Sequence, residues 1–469
     1  ADSWSVAPDG RTWTFHIREG IHFASGRAVT AHDAAFSLRR AVAVDGGPAW
    51  LLNSLGLFPE TVDGRVRALD ERTLEISLSE PFAPSLVLSI LAFPVTSIVD
   101  REFIEASRAG GEGEASALGE GRGGEVRPAN ERTASPLRNA SAGTGPYRLV
   151  RWEPGEYVAL EANAAYWRGA PPVRDLLVRD LPDDAAQAEA LRRRLIDVAW
   201  NLSPQIRREL AALHPEELRV VQVPAHGVQY LAMNASSGPL ADERVRSAVR
   251  WAIDYDAIVS DVLLGEALPL QSFIPAGYLG HDPATPFARD VDKATELLAS
   301  AGYAGGFEVE LAVDEAGDAV RAIAELVQAN LAGVGIRVRI APMPAGELFQ
   351  RFRQREHQMV IARWGVDYPD PAAVAAPFAD GSVQQLAWRN GWYDERATQL
   401  AAAAMLEQDP EARAALYREL NDLLQRRGPF AILHQPLNAW VVTSDVEGFE
   451  EAAALGTMHF DLTKVRKTG

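Results

Sequence analysis

The sequence predicts a multidomain α/β protein, and three observations carry that reading. A chain of 469 residues is too long to close around one core, so two or three domains are expected. The first third contains short runs in which apolar and polar residues alternate, which is the period of half-buried strands. From residue 291 onward, apolar runs of strand length alternate with helix-period segments. That order implies an α/β layer with right-handed crossovers, and domains joined by several chain crossings favour a cleft.

The elements follow in order. Residues 11–18, RTWTFHIR, alternate strictly, with Trp13, Phe15 and Ile17 on one face, and read as a strand. After the Gly26 turn, Thr30 and Asp33 form a Thr-x-x-Asp start signal for a helix over 31–42. Residues 65–69 and 73–78 flank the polar turn 70–72 and read as a hairpin. Residues 106–142 have scarcely any large apolar side chain. Such a segment cannot bury enough surface to offset its conformational entropy, so a mobile loop is expected. It contains a formal GxGxxG at 119–124, but no strand precedes it and no helix follows, so the dinucleotide reading fails on context. Strands are then expected at 147–152, 156–161, 176–181, 196–200, 219–223 and 228–233, with a helix at 184–195. A helix over 242–263 places Val245, Val249, Ala252, Ile253 and Val262 on one stripe. Helices at 291–301, 318–333 and 346–354 alternate with strands at 307–313, 336–340 and 359–362. Helices at 394–407 and 410–427 and strands at 430–434 and 439–443 complete the chain.

Composition removes several classes of function. The net charge of −18 repels phosphate backbones and anionic lipid, so no nucleic-acid partner is expected. No run of about 18 apolar residues predicts a membrane span. The absence of cysteine excludes disulfides, thiolate catalysis and Cys-ligated metal. There is no GxSxG elbow and no HExxH, and the nine histidines are scattered. No catalytic residue, metal site or cofactor is therefore expected. The chain opens at Ala1-Asp2-Ser3-Trp4 without a charged and apolar leader, so any signal peptide is expected to be gone or to lie outside this sequence.

The run 359–371, MVIARWGVDYPDP, stands out. It starts as a buried strand and ends in a turn with two prolines and two aspartates. An apolar strand that runs into polar and aromatic residues is a common way to hold a binding loop rigidly. Asp367, walled by Trp364 and Tyr368, is placed to receive a cationic group. The alternative is that Asp367 and Asp370 are turn residues bonding their own backbone.

Several motifs fall in a known order. Residues 1–23, ADSWSVAPDGRTWTFHIREGIHF, resemble the signature stretch of the family 5 extracellular solute-binding proteins. Residues 26–38 (GRAVTAHDAAFSL), 143–147 (GTGPY), 163–169 (NAAYWRG), 240–249 (LADERVRSAV) and 364–371 (WGVDYPDP) are similar to further stretches of that family. The resemblance implies a two-lobed periplasmic-binding-protein fold, a Venus flytrap with an extra small domain. Residues 1–142, including the loop 106–142, would form the small inserted domain II. Residues 143–235 and 438–469 would form domain I, and 236–437 domain III. Family members carry several dozen residues ahead of the Trp4 motif, so domain I is expected to lack its opening strand here.

The function implied is the substrate-binding receptor of an ABC importer, periplasmic or extracellular and either free or lipid-anchored. It would bind a peptide or another amine-bearing solute by hinge closure, act as a monomer, and deliver its ligand to membrane permease subunits. A regulator's sensor domain, or a receptor for a nickel chelate, sugar or opine, are the alternatives. Asp367 matches the aspartate that pairs with the ligand's α-ammonium in peptide-binding relatives, and Trp364 matches a pocket tryptophan. Arg363 stands where the family usually has Gly and is the candidate taken forward for a ligand carboxylate, ahead of Arg351, Arg353 and Arg389. Trp388 and Trp392, in the polar stretch 387–393, either line the pocket or pack between the lobes.

Overall fold

The computed structural model describes residues 1–109, 137, 140–454 and 460–468. The chain divides into two compact units, one of residues 1–221 and 439–469 and the other of 222–438. It passes from one to the other within the strands Leu218–Pro224 and Phe430–Thr443.

In the first unit, the alternation of residues 11–18 does what it predicts. Strand Thr12–His16 buries Trp13 and Phe15, which face Ile76 and Leu74 of Thr73–Ser77. These strands are the centre of a four-stranded antiparallel sheet flanked by Ser3–Val6 and Val66–Ala68. Helix Ala31–Val44 starts with the expected capping box between Thr30 and Asp33. Asp33 also pairs with Arg27, whose guanidinium reaches Asp100 at 2.8 Å, tying the helix start to the start of the helix Arg101–Ala109. A three-stranded meander, Tyr147–Glu153, Tyr157–Ala162 and Asp175–Arg179, follows. A small cluster of Leu191, Leu202, Leu210, Leu218 and Val441 joins the chain's two contributions to this unit.

The second unit is built on a mixed sheet with the order Ala267–Leu268, Phe430–Thr443, Gly227–Met233, Met359–Gly365, Phe307–Asp314, Ile336–Met343. The last three strands are parallel to one another, and the rest pair antiparallel. On one face Leu231, Met233, Ile361, Met359 and Leu311 pack under Glu243–Ala252, Val291–Ser300 and Asp318–Ala332. On the other, the Tyr230 ring sits edge-on to Phe378 and Phe430.

Several elements differ from expectation, among them the helices Pro84–Leu91, Pro204–Leu213 and Ala372–Ala379, which the sequence reading did not place. The helix expected over 242–263 stops at Ala252, because Ile253 turns extended and the Asp254 side chain caps a new turn through Ala257 N. The two closing strands are one, Phe430–Thr443. Pro436 needs no donor there, and its carbonyl accepts from Ala225 N. Strand Ser3–Val6 adds an unexpected edge: its Ser-Trp-Ser-Val run alternates, yet every residue of it is exposed. Helix Arg101–Ala109 takes residues 106–109 out of the expected loop; residues 110–136, 138 and 139, including the GxGxxG, lie outside the described residues.

Candidate functional site

Strand Met359–Gly365 lies inside the second unit's sheet, between Gly227–Met233 and Phe307–Asp314. Its odd residues Met359 and Ile361 belong to the core beneath the helix layer. Beyond Ile361 the strand leaves that cover. Residues 363, 365, 367 and 369 are exposed, whereas 366, 368 and 370 are buried and Trp364 is half-buried. The backbone N–H of Val366 still donates to His226 O at 2.7 Å, so the alternation continues past the strand end. One side of the run is packed and the other is open.

The packed side holds the turn rigid. Trp364 Nε1 donates to Ala373 O at 3.1 Å, and its ring meets Phe378 edge-on. Tyr368 is buried, and burial, with Asp370 nearby, pushes its phenol far above the usual range, so it stays neutral. The Asp370 carboxylate receives Arg413 Nη1 and Nη2 at 2.8 Å each, a two-pronged pair with both partners nearly sealed from water. It also accepts from Ala372 N, while Arg413 bonds Ala404 O and the Tyr417 hydroxyl. Of the two readings of the aspartates, Asp370 takes the structural one.

The open side is different. Asp367 makes no hydrogen bond and no ion pair among the described residues. The protein mass beside it desolvates its carboxylate enough to raise the pKa, although the residue keeps contact with solvent. Arg363 keeps solvent on one side and protein on the other. Desolvation lowers its pKa, but a guanidinium stays cationic, and no carboxylate pairs with it among the described residues. Gly365 lies between them and faces Gly227 across the ladder. A Cβ on Gly227 would sit 2.2 Å from Trp364 O, so this close approach requires glycine.

The run brings Arg363, Trp364, Asp367 and Tyr368 together. It does not gather the other two candidates: neither hydrogen bonds nor ring contacts tie Trp388 or Trp392 to it among the described residues. Trp388, in the short helix Leu386–Arg389, is half-buried under the Arg355 guanidinium, 5.3 Å from its ring centre. Trp392 is only 6% exposed and offers little surface to a ligand. Two residues adjoin the run: Gln229, which sequence reasoning passed over, and His434, which reads from sequence as a lone structural histidine in an apolar strand. Gln229 stands opposite Arg363, and His434 opposite Gln229. Their signal was a single polar residue inside each of the apolar strands GVQYLAM and FAILHQP. No group of three or more His, Asp or Glu able to hold a metal occurs among the described residues.

The run thus presents the Asp367 carboxylate and the Arg363 guanidinium, neither paired among the described residues, on the open side of a rigid turn. The profile of bacterial extracellular solute-binding proteins, family 5 Middle, matches residues 1–385. The chain belongs to this family of solute-binding proteins. Among curated relatives, this family 5 protein is 27% identical to the dipeptide-binding protein of Escherichia coli strain K12, over 98% of this chain and 84% of the relative. It is 28% identical to di/tripeptide-binding protein 2 of Pseudomonas aeruginosa, over 96% of this chain and 83% of the relative. Among solved structures it resembles the periplasmic binding protein DppA from Helicobacter pylori in complex with the peptide STSA. The TM-score is 0.75 at 23% identity, covering 100% of this chain and 89% of that one. A dipeptide-binding protein from Pseudoalteromonas in complex with Met-Leu matches at TM-score 0.74 and 22% identity, covering 100% and 90%. These likenesses show that the family 5 chain has the periplasmic-binding-protein fold expected from its motifs.

Proposed function

We propose that this family 5 protein is the substrate-binding receptor of an ABC importer and that it binds a short peptide or another amine-bearing solute through Asp367. The observation that carries this reading is the Asp367 carboxylate, desolvated yet without a cation among the described residues, at the end of a strand whose packed side is locked. A carboxylate in that setting gains most from an incoming ammonium, because a charge-assisted bond strengthens as water is excluded. The names of the relatives, which are peptide-binding proteins, support the same ligand class.

In this reading Trp364 and Tyr368 hold the turn from its packed side rather than walling the ammonium, and Arg363, on the open side, meets the far end of the ligand. The domains are those the motifs imply, 1–142, 143–235 with 438–469, and 236–437, and hinge closure encloses the ligand. The protein acts outside the cytoplasmic membrane, free or lipid-anchored, as a monomer that hands its ligand to permease subunits. A thermal-shift screen with di- and oligopeptides, sugars and nickel tests the ligand class. A ligand at a hundred times its Kd adds about 2.7 kcal/mol of apparent stability. Peptides with a free amino terminus are expected to raise the Tm. A shift produced only by compounds without a cationic group would overturn the reading.

A further inference from the structure

We propose that the buried guanidinium of Arg250 and the amide of Asn421 are the donors of an internal anion site in the second unit, sized for a single halide such as chloride. None of the residues 363–371 lines it, and its ligand is a different one from the solute read at Asp367.

The space is a cavity of about 20 Å³. Arg250 and Asn421 line it together with the rings of Phe273, Phe287, Phe378 and Phe430. A space of about 10–15 Å³ already holds a water, and a chloride ion is only slightly wider. A neighbouring cleft of about 120 Å³ shares the walls Tyr255, Gln271 and Phe287 with the cavity. Exposed Asp256 and Arg289 line that cleft, so it connects the cavity's walls to solvent.

Two donors on the cavity wall lack acceptors. Arg250 is 1% exposed and Asn421 0%. Arg250 Nε and Asn421 Nδ2 have no hydrogen-bond partner among the described residues. The neighbouring polar atoms are already spent. Arg250 Nη1 donates to Gly428 O at 2.9 Å, and Nη2 to Arg426 O at 2.8 Å. Asn421 Oδ1 accepts from Phe273 N at 3.3 Å. The Gln271 amide donates to Phe287 O at 2.6 Å and accepts from Phe287 N at 2.8 Å. Buried polar groups are almost always satisfied, and an unmade bond costs more than a made one gains. What is missing is an acceptor, and the cavity is the place for it.

Charge selects the kind of acceptor. Arg246, one turn before Arg250 on the helix Glu243–Ala252, is 4% exposed and donates to Arg427 O at 2.6 Å and Leu240 O at 2.9 Å. Two guanidiniums are thus buried against the end of the helix Pro410–Arg427. A helix C-terminus supplies only about half a negative charge. The carboxylates whose fields reach this pair, Glu243 and Asp242, are themselves paired with Arg427 at 3.5 Å and Arg244 at 2.6 Å. Burial lowers the Arg250 pKa to about 10, so the group stays charged at neutral pH. Tyr255, on the same wall, is held neutral by burial and adds no anion. A water would accept from both donors but leave the positive excess in place. A halide accepts from both and offsets that excess, which matters most where water is shut out. The size of the cavity excludes larger oxyanions.

Crystals grown with bromide in place of chloride test the site through the anomalous signal of bromine. A peak is expected in contact with Arg250 Nε and Asn421 Nδ2. In solution, thermal unfolding in sodium chloride or bromide is compared with sodium gluconate at equal ionic strength. Above the Kd, each tenfold rise in halide should raise Tm by about 3–5 °C, and gluconate, too large for the cavity, should not. Arg250→Met should abolish the difference between the salts. Asn421→Leu should weaken halide binding tenfold or more, and keeps the test decisive if Arg250→Met does not fold. A water without anomalous signal in the cavity, a Tm that follows ionic strength alone, or a halide dependence unchanged in Asn421→Leu would overturn the site.

Discussion

The Asp370–Arg413 pair should hold the site turn in place, and its removal should be felt as lost stability. Asp370 and Arg413 side chains are 1% and 2% exposed, and the two bonds between them are 2.8 Å each. Asp370→Asn preserves volume but turns one oxygen into a donor that faces a donor of Arg413. It also leaves the guanidinium without its counter-charge in a site from which water is shut out. Breaking a buried pair by changing one partner costs about 3–5 kcal/mol. The Ala404 carbonyl and the Tyr417 hydroxyl still hold Arg413, so the lower half of that range, about 3 kcal/mol, is expected. For a unit of this size each kcal/mol lowers Tm by about 2–4 °C, which gives a fall of about 6–12 °C. Arg413→Met alone should cost a similar amount by stranding Asp370. The double variant Asp370→Asn with Arg413→Met should cost less than the sum of the single changes, since no charge is left behind. Scanning calorimetry on the four proteins reads this directly. A loss below about 1 kcal/mol for Asp370→Asn, or fully additive single effects, would refute the argument that this is a sealed and mutually dependent pair.

Two further outcomes follow from the same site. Gly227→Ala puts a methyl group against the Trp364 carbonyl, so it should cost about 1–3 kcal/mol by urea unfolding and weaken ligand binding as Trp364 shifts. His357 and His434 are kept neutral by burial, each lowered from 6.5 to about 4. The unfolded chain therefore takes up their protons first on acidification. The stability they contribute is fully present above pH 6.5 and is lost as pH falls towards 4, at about 1.4 kcal/mol per pH unit for each histidine. Urea unfolding between pH 7 and 4.5 should show that slope, and His434→Phe should reduce it; a stability independent of pH across this window would contradict the assignment.

Much of the fold was legible because its signals are local. Thr30 and Asp33 announced a capping box, and Trp13 and Phe15 announced their buried face. Helix Pro410–Arg427 begins and ends where its periodicity does. The misses have tertiary causes. Nothing in residues 242–263 marks Ile253 as extended, because the break is fixed by the Asp254 cap and by Asn330, which accepts from Asp254 N. The two strands expected at 430–434 and 439–443 run on as one through Pro436, whose carbonyl accepts from Ala225 N. At the site, the run 363–371 stood out for its composition, and its alternation of exposed and buried residues separates Asp367 from Asp370. Arg413, the partner of Asp370, is 43 residues away in a helix where an arginine reads as a surface charge. Gln229 and His434 join Arg363 only through strand register, which pairs segments well over a hundred residues apart and leaves no mark in any one of them.

The central claim is that the Asp367 carboxylate, and not the turn as a whole, binds the ligand's ammonium. Calorimetric titration of the wild type and of Asp367→Asn with the amine ligand found by the thermal-shift screen tests it most directly. Asp367→Asn keeps the size of the side chain and, unlike Asp370→Asn, breaks no bond among the described residues, so its Tm without ligand should stay within about 2 °C of the wild type. Its affinity should fall by about 2–5 kcal/mol, the cost of removing one partner of an enclosed charge pair. Unchanged affinity in a normally folded Asp367→Asn protein would contradict the account.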